Sequence, residues 1–374
     1  MSTVTRIKKD TNYHTTLINC IFEFKLDKSE VMAYTILSKL LSKSNKKYPS
    51  IDKYGREKLN RYIMSLNVIN QTINDSYFIN FSLLLPNPNI ISDFDISKSI
   101  NFLLDTIYDT NLESVELFEL EKRLYIETLL NNYKNVEFIA EKNMLEMLDK
   151  DCKLNKLKYK DIENINRLTI DDILKFYNKY IKNIKPKIFV YGNIEKKEVE
   201  NIFDSYFNNL SLKEYKVIKD YKESDFYKLY LINLLLSNPS SDLLFNNLRK
   251  KNNLVYACSS SMLIRNGLLI TKAITSKKNI KLAKLVIEKT INDLKNINDY
   301  KENIERLVEK LEYNLLREED NFYVKPSNII NEYFSSDINS KDELEIIKNI
   351  SIDELLECIN RLELNLIYTL EGVA

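Results

Sequence analysis

Glycine is scarce in this chain. Only four of its 374 residues are glycine, namely Gly55, Gly192, Gly267 and Gly372. Loops that hold phosphate groups need several glycines close together, because the backbone amides must approach the anion. The chain has no such cluster, which argues against kinases, P-loop NTPases and dehydrogenases with a dinucleotide fingerprint.

Histidine and closely spaced cysteines are also lacking. His14 is the one histidine, and the four cysteines are separated by about a hundred residues, with no C-x-x-C spacing. Neither a zinc ribbon nor a redox motif is therefore predicted, and reduced, mostly buried cysteines are expected. A catalytic zinc takes about three protein ligands, so His14 alone does not indicate a metal site.

Long apolar runs and an excess of one charge are missing as well. The longest apolar run, residues 229–236, is interrupted by Asn233, whereas a helix needs roughly 20 residues to span a bilayer. The first residues have no apolar core of a signal peptide, so we expect a cytoplasmic protein with no membrane partner. The net charge is +1, with 55 basic and 54 acidic residues, which argues against a nucleic-acid partner.

Two segments half a chain apart follow one plan. Residues 169–192 and 351–372 each open with Thr or Ser and have an acidic residue three positions later, a variant of the capping box that begins helices. Each continues as a short amphipathic helix and closes with a β-branched and aromatic run that ends at glycine. The repeat predicts two copies of one domain.

The hydrophobic periodicity fills in this plan. In the first half we expect strands over 16–24 and 72–85, helices over 31–42 and between 96 and 150, and a strand ending at Gly192. In the second half we expect a helix over 229–236, strands over 254–263 and 268–274 with a turn at Asn266-Gly267, helices over 279–296, 300–317 and 325–335, and a closing strand over 366–372. Strands followed by runs of helices predict an α+β fold. The two similar domains, 1–210 and 211–374, should each be an antiparallel sheet with helices packed on one side.

One segment of the second half carries a resemblance. Residues 248–256 read LRKKNNLVY, and the chain resembles the insulinase/pitrilysin family, whose second domain has a similar L-R-x-K-x-x-L-x-Y segment. The resemblance implies half of a peptidase clamshell, in which Arg249 and Tyr256 bind a substrate carbonyl and stabilise the oxyanion. Guanidinium and phenol donors suit that task in a water-poor chamber. Outside this context, Arg249 would be a surface ion-pair residue and Tyr256 a core residue.

The zinc motif of that family is missing. H-x-x-E-H belongs on the first helix, where this chain has Tyr34, Leu37 and Ser38. None of these groups replaces a histidine ligand or the glutamate base. Glu127, which lies near the expected third ligand, is interpreted as an ordinary helix residue. The chain should therefore hold no cofactor.

Three interpretations remain open at this point. In the first, the chain is the non-catalytic subunit of a heterodimeric metallopeptidase, and lends Arg249 and Tyr256 in trans to a homologous partner that holds the zinc. The substrates would be small unfolded peptides, with leader-peptide processing as one setting. In the second, the chain is an inert insulinase-like scaffold or peptide-binding protein. In the third, it is an unrelated α+β interaction protein.

Overall fold

The chain folds into two compact units. They comprise Met1–Lys219 and Asp220–Ala374. The computed structural model describes residues 4–73, 76–88, 90–148, 161–214, 225–238, 242–263, 268–318, 324–334 and 340–372. The domain limits of 1–210 and 211–374 stay a prediction, and the division between the compact units falls a few residues beyond them.

The first unit is built on a five-stranded sheet. Its strands are β1 (Arg6–Lys9), β2 (Thr15–Phe24), β3 (Ser65–Ile73), β4 (Ser76–Pro86) and β5 (Lys187–Gly192). Their order in the sheet is β1-β5-β2-β4-β3. All neighbours are antiparallel except β1 and β5, which are parallel.

The helices of the first unit lie between the strands along the chain, except the last, which follows β5. They are α1 (Val31–Leu41), α2 (Ile51–Asn60), α3 (Ile96–Tyr108), α4 (Val115–Asn132), α5 (Val136–Leu148), α6 (Ile162–Arg167), α7 (Ile170–Tyr180) and α8 (Lys196–Phe207). The sheet meets them through alternate residues of β2, because side chains of a strand point to opposite faces in turn. Phe24, for example, packs edge-on against Tyr34 of α1 and Phe176 of α7, with ring centroids 5.9 and 5.6 Å apart.

One predicted strand is in fact a hairpin. A single strand over 72–85 was expected, but the structure has β3 and β4 paired from Ser65↔Leu84 to Ile73↔Ser76. In the sequence, Asn74 and Asp75 stand between the two strands, and they lie outside the described residues. Asn and Asp are residues that favour tight turns, so the turn signal was present in the sequence but was hidden by the alternation that continues across it.

The second unit has a smaller sheet in the part of the chain that the structure describes. An antiparallel hairpin of β6 (Val255–Leu263) and β7 (Leu268–Thr275) forms it, and the predicted turn at Asn266-Gly267 lies outside the described residues. The helices are α9 (Phe226–Ser237), α10 (Leu243–Phe245), α11 (Ile280–Asp293), α12 (Lys301–Glu318), α13 (Val324–Phe334), α14 (Ser340–Lys348) and α15 (Ile352–Asn360). The predicted α+β class with antiparallel sheets is confirmed.

Both copies of the predicted repeat have the capped helix, but only the first copy has the strand that was predicted to follow it. Capping boxes are present at Thr169 with Asp172, and at Ser351 with Glu354. After α7 the chain enters β5, between β1 and β2. After α15, residues 362–372 form no strand, contrary to the prediction, and Leu364 and Ile367 are exposed. A strand needs backbone partners on a neighbouring strand, and no described strand pairs with this segment.

Gly192 ends β5 in a conformation that other residues rarely adopt. Its φ is +141°, and a Cβ built there would lie 2.6 Å from the carbonyl oxygen of Thr15. Glycine is required here for both reasons, since it has no Cβ and tolerates positive φ. The contact places the end of β5 against the start of β2.

Replacing Gly192 should destabilise the chain. We expect Gly192→Ala to lower the free energy of unfolding by about 2 kcal/mol or more, because both strain and overlap are introduced. Gly55→Ala is the matched control: it lies inside α2, its Cβ meets nothing within 4 Å, and helix propensity predicts a gain of about 0.5–1 kcal/mol. Chemical denaturation followed by circular dichroism measures both, and equal stabilities of the two variants would contradict the assignment.

Candidate functional site

The first helix holds the side chains that stand at the zinc-motif positions. Every residue of α1 except Lys39 is buried. The Tyr34 hydroxyl lies 3.0 Å from the carbonyl oxygen of Gln71 on β3 and 2.9 Å from that of Phe78 on β4, and donates to them. Burial raises the pKa of Tyr34 well above its ordinary value, so the phenol stays protonated. It therefore ties α1 to the β3–β4 hairpin as a neutral donor.

The other two positions are just as firmly part of the core. Leu37 is fully buried and has no polar atom in its side chain. The Ser38 hydroxyl donates to the carbonyl oxygen of Thr35, 3.2 Å away, in the preceding turn of the helix. Zinc prefers Cys, His and carboxylate ligands, so these residues do not fit a zinc ion.

The other candidate zinc ligands of the first unit are His14 and Glu127, and neither lies on α1. His14 and Glu127 are both exposed, the latter on α4. Among the described residues, no group of three or more His, Cys, Asp or Glu side chains is placed to hold a metal ion. The described helices also include none with the length and apolar character needed to cross a membrane.

Arg249 lies in a short π-helical turn, Asn246–Lys251, that continues α10. Its Nη1 donates to Oδ1 of Asn253 at 3.0 Å and to the carbonyl oxygen of Val255 at 2.9 Å. Among the described residues it has no acidic partner, so the surface ion pair considered above is not formed. Single π-helical turns are rare and frequently occur at functional sites.

Tyr256 follows on β6, at a β-bulge. Val255 pairs with Thr275 and Ala257 pairs with Ile274, so Tyr256 is the extra residue between them. Its side chain is 67% exposed, which rules out the alternative of a core tyrosine. A bulge turns a side chain away from the regular alternation of the strand, and such bulges are common beside active sites.

Asn253 is a third residue of this segment, and the sequence analysis did not predict it as a functional residue. Its φ is +48°, the left-handed region, which asparagine adopts more readily than most residues. Its side chain also accepts from Arg249. The signal was present as the pair Asn252-Asn253, which is typical of turns, but both positions are unspecified in the motif L-R-x-K-x-x-L-x-Y. Arg249, Asn253 and Tyr256 thus share one irregular segment.

The segment offers hydrogen-bond donors and no nucleophile. Nη2 and Nε of Arg249 make no hydrogen bond to described residues, and the Tyr256 hydroxyl is on the surface. Burial, with a smaller effect of the Asp242 carboxylate, raises the pKa of the neighbouring Cys258 thiol to about 11. That thiol is therefore protonated near neutral pH and is a poor nucleophile. Such an arrangement suits binding of a carbonyl oxygen or an oxyanion.

Comparisons with known proteins show which folds this α+β fold resembles. A model of the peptidase M16 inactive domain matches residues 167–220 and 215–311, less than half of the chain. A conserved protein from Enterococcus faecalis V583 has a similar structure, with a TM-score of 0.83 and 18% identity over 96% of this chain and 93% of that chain. These matches show a segment similar to the peptidase M16 inactive domain and a fold similar to that of the Enterococcus protein.

Two further structures extend the likeness to this M16-type fold. A protease from Helicobacter pylori has a TM-score of 0.76 and 13% identity over 96% of this chain and 94% of its own. A peptidase M16 inactive domain from Pseudomonas fluorescens has a TM-score of 0.74 and 12% identity over 96% and 92% of the two chains. At such identities the likeness shows the fold alone. The comparison with curated proteins finds no match.

Removing the Tyr34 hydroxyl should cost stability. Tyr34→Phe keeps the ring but leaves the carbonyl oxygens of Gln71 and Phe78 without this donor, so we expect the free energy of unfolding to fall by about 1–2 kcal/mol. Tyr62→Phe, at a tyrosine that is 46% exposed in the same unit, should change it by less than about 0.5 kcal/mol. Urea denaturation of both variants measures the difference. An unchanged Tyr34→Phe would show that the hydroxyl does not tie α1 to the hairpin.

Proposed function

We propose that this chain is the non-catalytic subunit of a heterodimeric zinc metallopeptidase of the insulinase type. Its partner is a homologous subunit that carries the zinc, and this chain supplies Arg249 and Tyr256 in trans. The guanidinium binds a substrate carbonyl, and the phenol donates to the oxyanion that forms as the peptide bond is attacked. The cytoplasmic location remains a prediction from the sequence.

The observation that carries the proposal is the contrast between the two candidate sites. The zinc-motif positions are occupied by core residues that are tied to their own unit. The Arg249–Tyr256 segment, in contrast, combines a π-helical turn, a residue at positive φ and a bulge. Irregular backbone of this kind is costly and tends to persist where function needs it. Hydrogen-bond donors without a nucleophile can serve catalysis when they lie next to a catalytic centre on another chain.

The donors act by charge stabilisation. A preorganised hydrogen-bond donor aimed at a developing oxyanion lowers the barrier because it needs no reorganisation when the charge appears. The bond from Arg249 to the carbonyl oxygen of Val255 fixes the backbone immediately before Tyr256. We take the substrate to be a small unfolded peptide, and processing of leader peptides is one such reaction.

A second candidate function, an inert peptide-binding scaffold, is favoured by a different feature. Strand β3 forms one end of the first sheet, and its sequence SLNVINQTI has neither charge nor proline. Charges and proline normally protect edge strands against pairing with another chain. An unprotected edge of nine residues can accept an extended peptide by strand addition. This function would need neither Arg249 nor Tyr256.

Association with a zinc-bearing subunit is the first test. Alone, the chain should hydrolyse no peptide. Co-expressed with an insulinase-type protein from the same source that has H-x-x-E-H, it should co-purify as a pair with chelator-sensitive peptidase activity. An obligate pair commonly buries more than about 2,000 Å², so the complex should survive size-exclusion chromatography. Zinc-dependent activity of the isolated chain, or failure of every such protein to associate, would refute the proposal.

Loss of the Tyr256 hydroxyl is the second test. In the assembled pair, Tyr256→Phe should lower kcat by roughly 10²–10³-fold, with a smaller change in KM because the donor acts mainly in the transition state. Arg249→Lys should retain little of the activity, although it keeps the charge, since an ammonium group lacks the planar fork of the guanidinium. Tyr313→Phe, at a tyrosine that is 60% exposed in the same unit, is the control and should be fully active.

Two outcomes of this kinetic test are informative. A loss confined to Tyr256 and Arg249 supports catalysis in trans. Full activity of Tyr256→Phe in a pair that assembles normally would favour the scaffold function.

A further inference from the structure

The π-helical turn is followed by Asn253, whose backbone conformation favours glycine. Its φ is +48°, and its backbone N–H donates to the carbonyl oxygen of Arg249 at 2.9 Å. The next N–H, of Leu254, donates to the carbonyl oxygen of Leu248 at 2.8 Å. Bonds of this kind close a helix whose following residue is left-handed, and that residue is most often glycine and sometimes asparagine. The backbone therefore explains a residue that tolerates positive φ, but not the choice of a polar side chain.

The side chain of Asn253 is one of two acceptors that hold Arg249. Both accept from the same guanidinium nitrogen, since Nη1 donates to Oδ1 of Asn253 at 3.0 Å and to the carbonyl oxygen of Val255 at 2.9 Å. A terminal guanidinium nitrogen carries two N–H groups, and the whole group carries five. The two acceptors thus match the two N–H groups of Nη1, and the N–H groups of Nη2 and Nε are left over.

The second acceptor is fixed by the core of the second unit. Val255 is buried, and it pairs with Thr275 at the start of the hairpin of β6 and β7. The guanidinium of Arg249 is planar, and rotation about its bond between Nε and Cζ exchanges Nη1 with Nη2. Such a rotation must break both bonds of Nη1. The acceptor on Asn253 therefore adds to the barrier that keeps the guanidinium in one orientation.

The nitrogens that are left over form one edge of the guanidinium. Nε and Nη2 donate side by side in its plane, which is the geometry that arginine uses to bind oxygen acceptors. No Asp or Glu occurs between Leu243 and Ile287 in the sequence, so no carboxylate from this stretch competes for that edge. A donor that is held in place before the ligand arrives binds it at a smaller cost in side-chain entropy.

The neighbouring asparagine shows what a purely structural role is like. The side-chain amide of Asn252 donates to the carbonyl oxygen of Asn247 at 2.7 Å, which closes the turn on its own backbone. The side chain of Asn253 is instead bonded to the guanidinium of Arg249. The two residues have the same chemistry and adjoining positions, so they make a matched pair for separating closure of the turn from the placement of Arg249.

We infer that Asn253 is a positioning residue for Arg249. Its side-chain oxygen, together with the carbonyl oxygen of Val255, holds Nη1 and so fixes the guanidinium, which leaves Nε and Nη2 to bind the substrate carbonyl. This last step rests on the proposed function, which the inference deepens. The hold on Arg249 itself lies within this chain, so it is measured without a partner subunit.

The first measurement follows the guanidinium in the full chain alone. With ¹⁵N-labelled arginine, NMR exchange spectroscopy gives the rate at which Nη1 and Nη2 exchange, and Arg249→Lys identifies the signals of Arg249. Asn253→Gly keeps a residue that tolerates positive φ but removes the acceptor, so rotation should become about fivefold faster, as expected for the loss of one hydrogen bond. Asn253→Asp keeps an acceptor oxygen and should rotate no faster than the native chain. Asn252→Ala is the matched control and should leave the rate unchanged.

The second measurement uses the assembled pair. Asn253→Gly should raise KM about three- to tenfold, as expected for one lost hydrogen bond, with a smaller change in kcat because Arg249 already binds the carbonyl in the ground state. In the Arg249→Lys background the same substitution should have no further effect, since a double-mutant cycle isolates the interaction between the two residues. Asn252→Ala should have the native KM.

Three results would overturn the inference. They are an unchanged rotation rate in Asn253→Gly, an equal increase of that rate in Asn252→Ala, and an equal loss of kcat/KM from Asn253→Gly with and without the guanidinium of Arg249. Failure of the chain to pair with a zinc-bearing subunit would refute the proposed function and leave the rotation measurement unaffected. The inference and the proposed function therefore fail on different observations.

Discussion

The first unit depends on the burial of α1. A helix with apolar residues on all sides must be enclosed by other elements, and α1 lies among the sheet, α4 and α7 with only Lys39 exposed. Because the helix is enclosed, its polar groups must find partners within the unit. Tyr34 does so by donating to the carbonyl oxygens of β3 and β4. The position that the resemblance aligns with a zinc ligand thus contributes to the stability of the fold.

In the second unit, the candidate residues lie on exposed, irregular backbone, in contrast to the buried helix α1 of the first unit. The irregular backbone lies between α10 and β6, where Arg249 holds the carbonyl oxygen of Val255 and Tyr256 occupies a bulge.

Much of the fold was predictable because its signals are local. The period of two along 15–24 and the helical period after residue 96 correspond to β2 and to α3, α4 and α5. The capping boxes at Thr169 and Ser351 were identified from four residues each. The errors also have physical causes. The β3–β4 turn was hidden by continuous alternation, and the strand predicted over 366–372 needs a neighbour that its own sequence does not specify.

For the candidate site, the sequence alone determined which side chains stand at the positions that the resemblance aligns with the zinc motif. Tyr34, Leu37 and Ser38 lack the imidazole and carboxylate groups of H-x-x-E-H, and this follows from residue identity. Only the tertiary structure decided how Arg249 and Tyr256 are presented. The bulge depends on the register of Val255 with Thr275, twenty residues away, and a shift of one residue would turn each side chain to the other face.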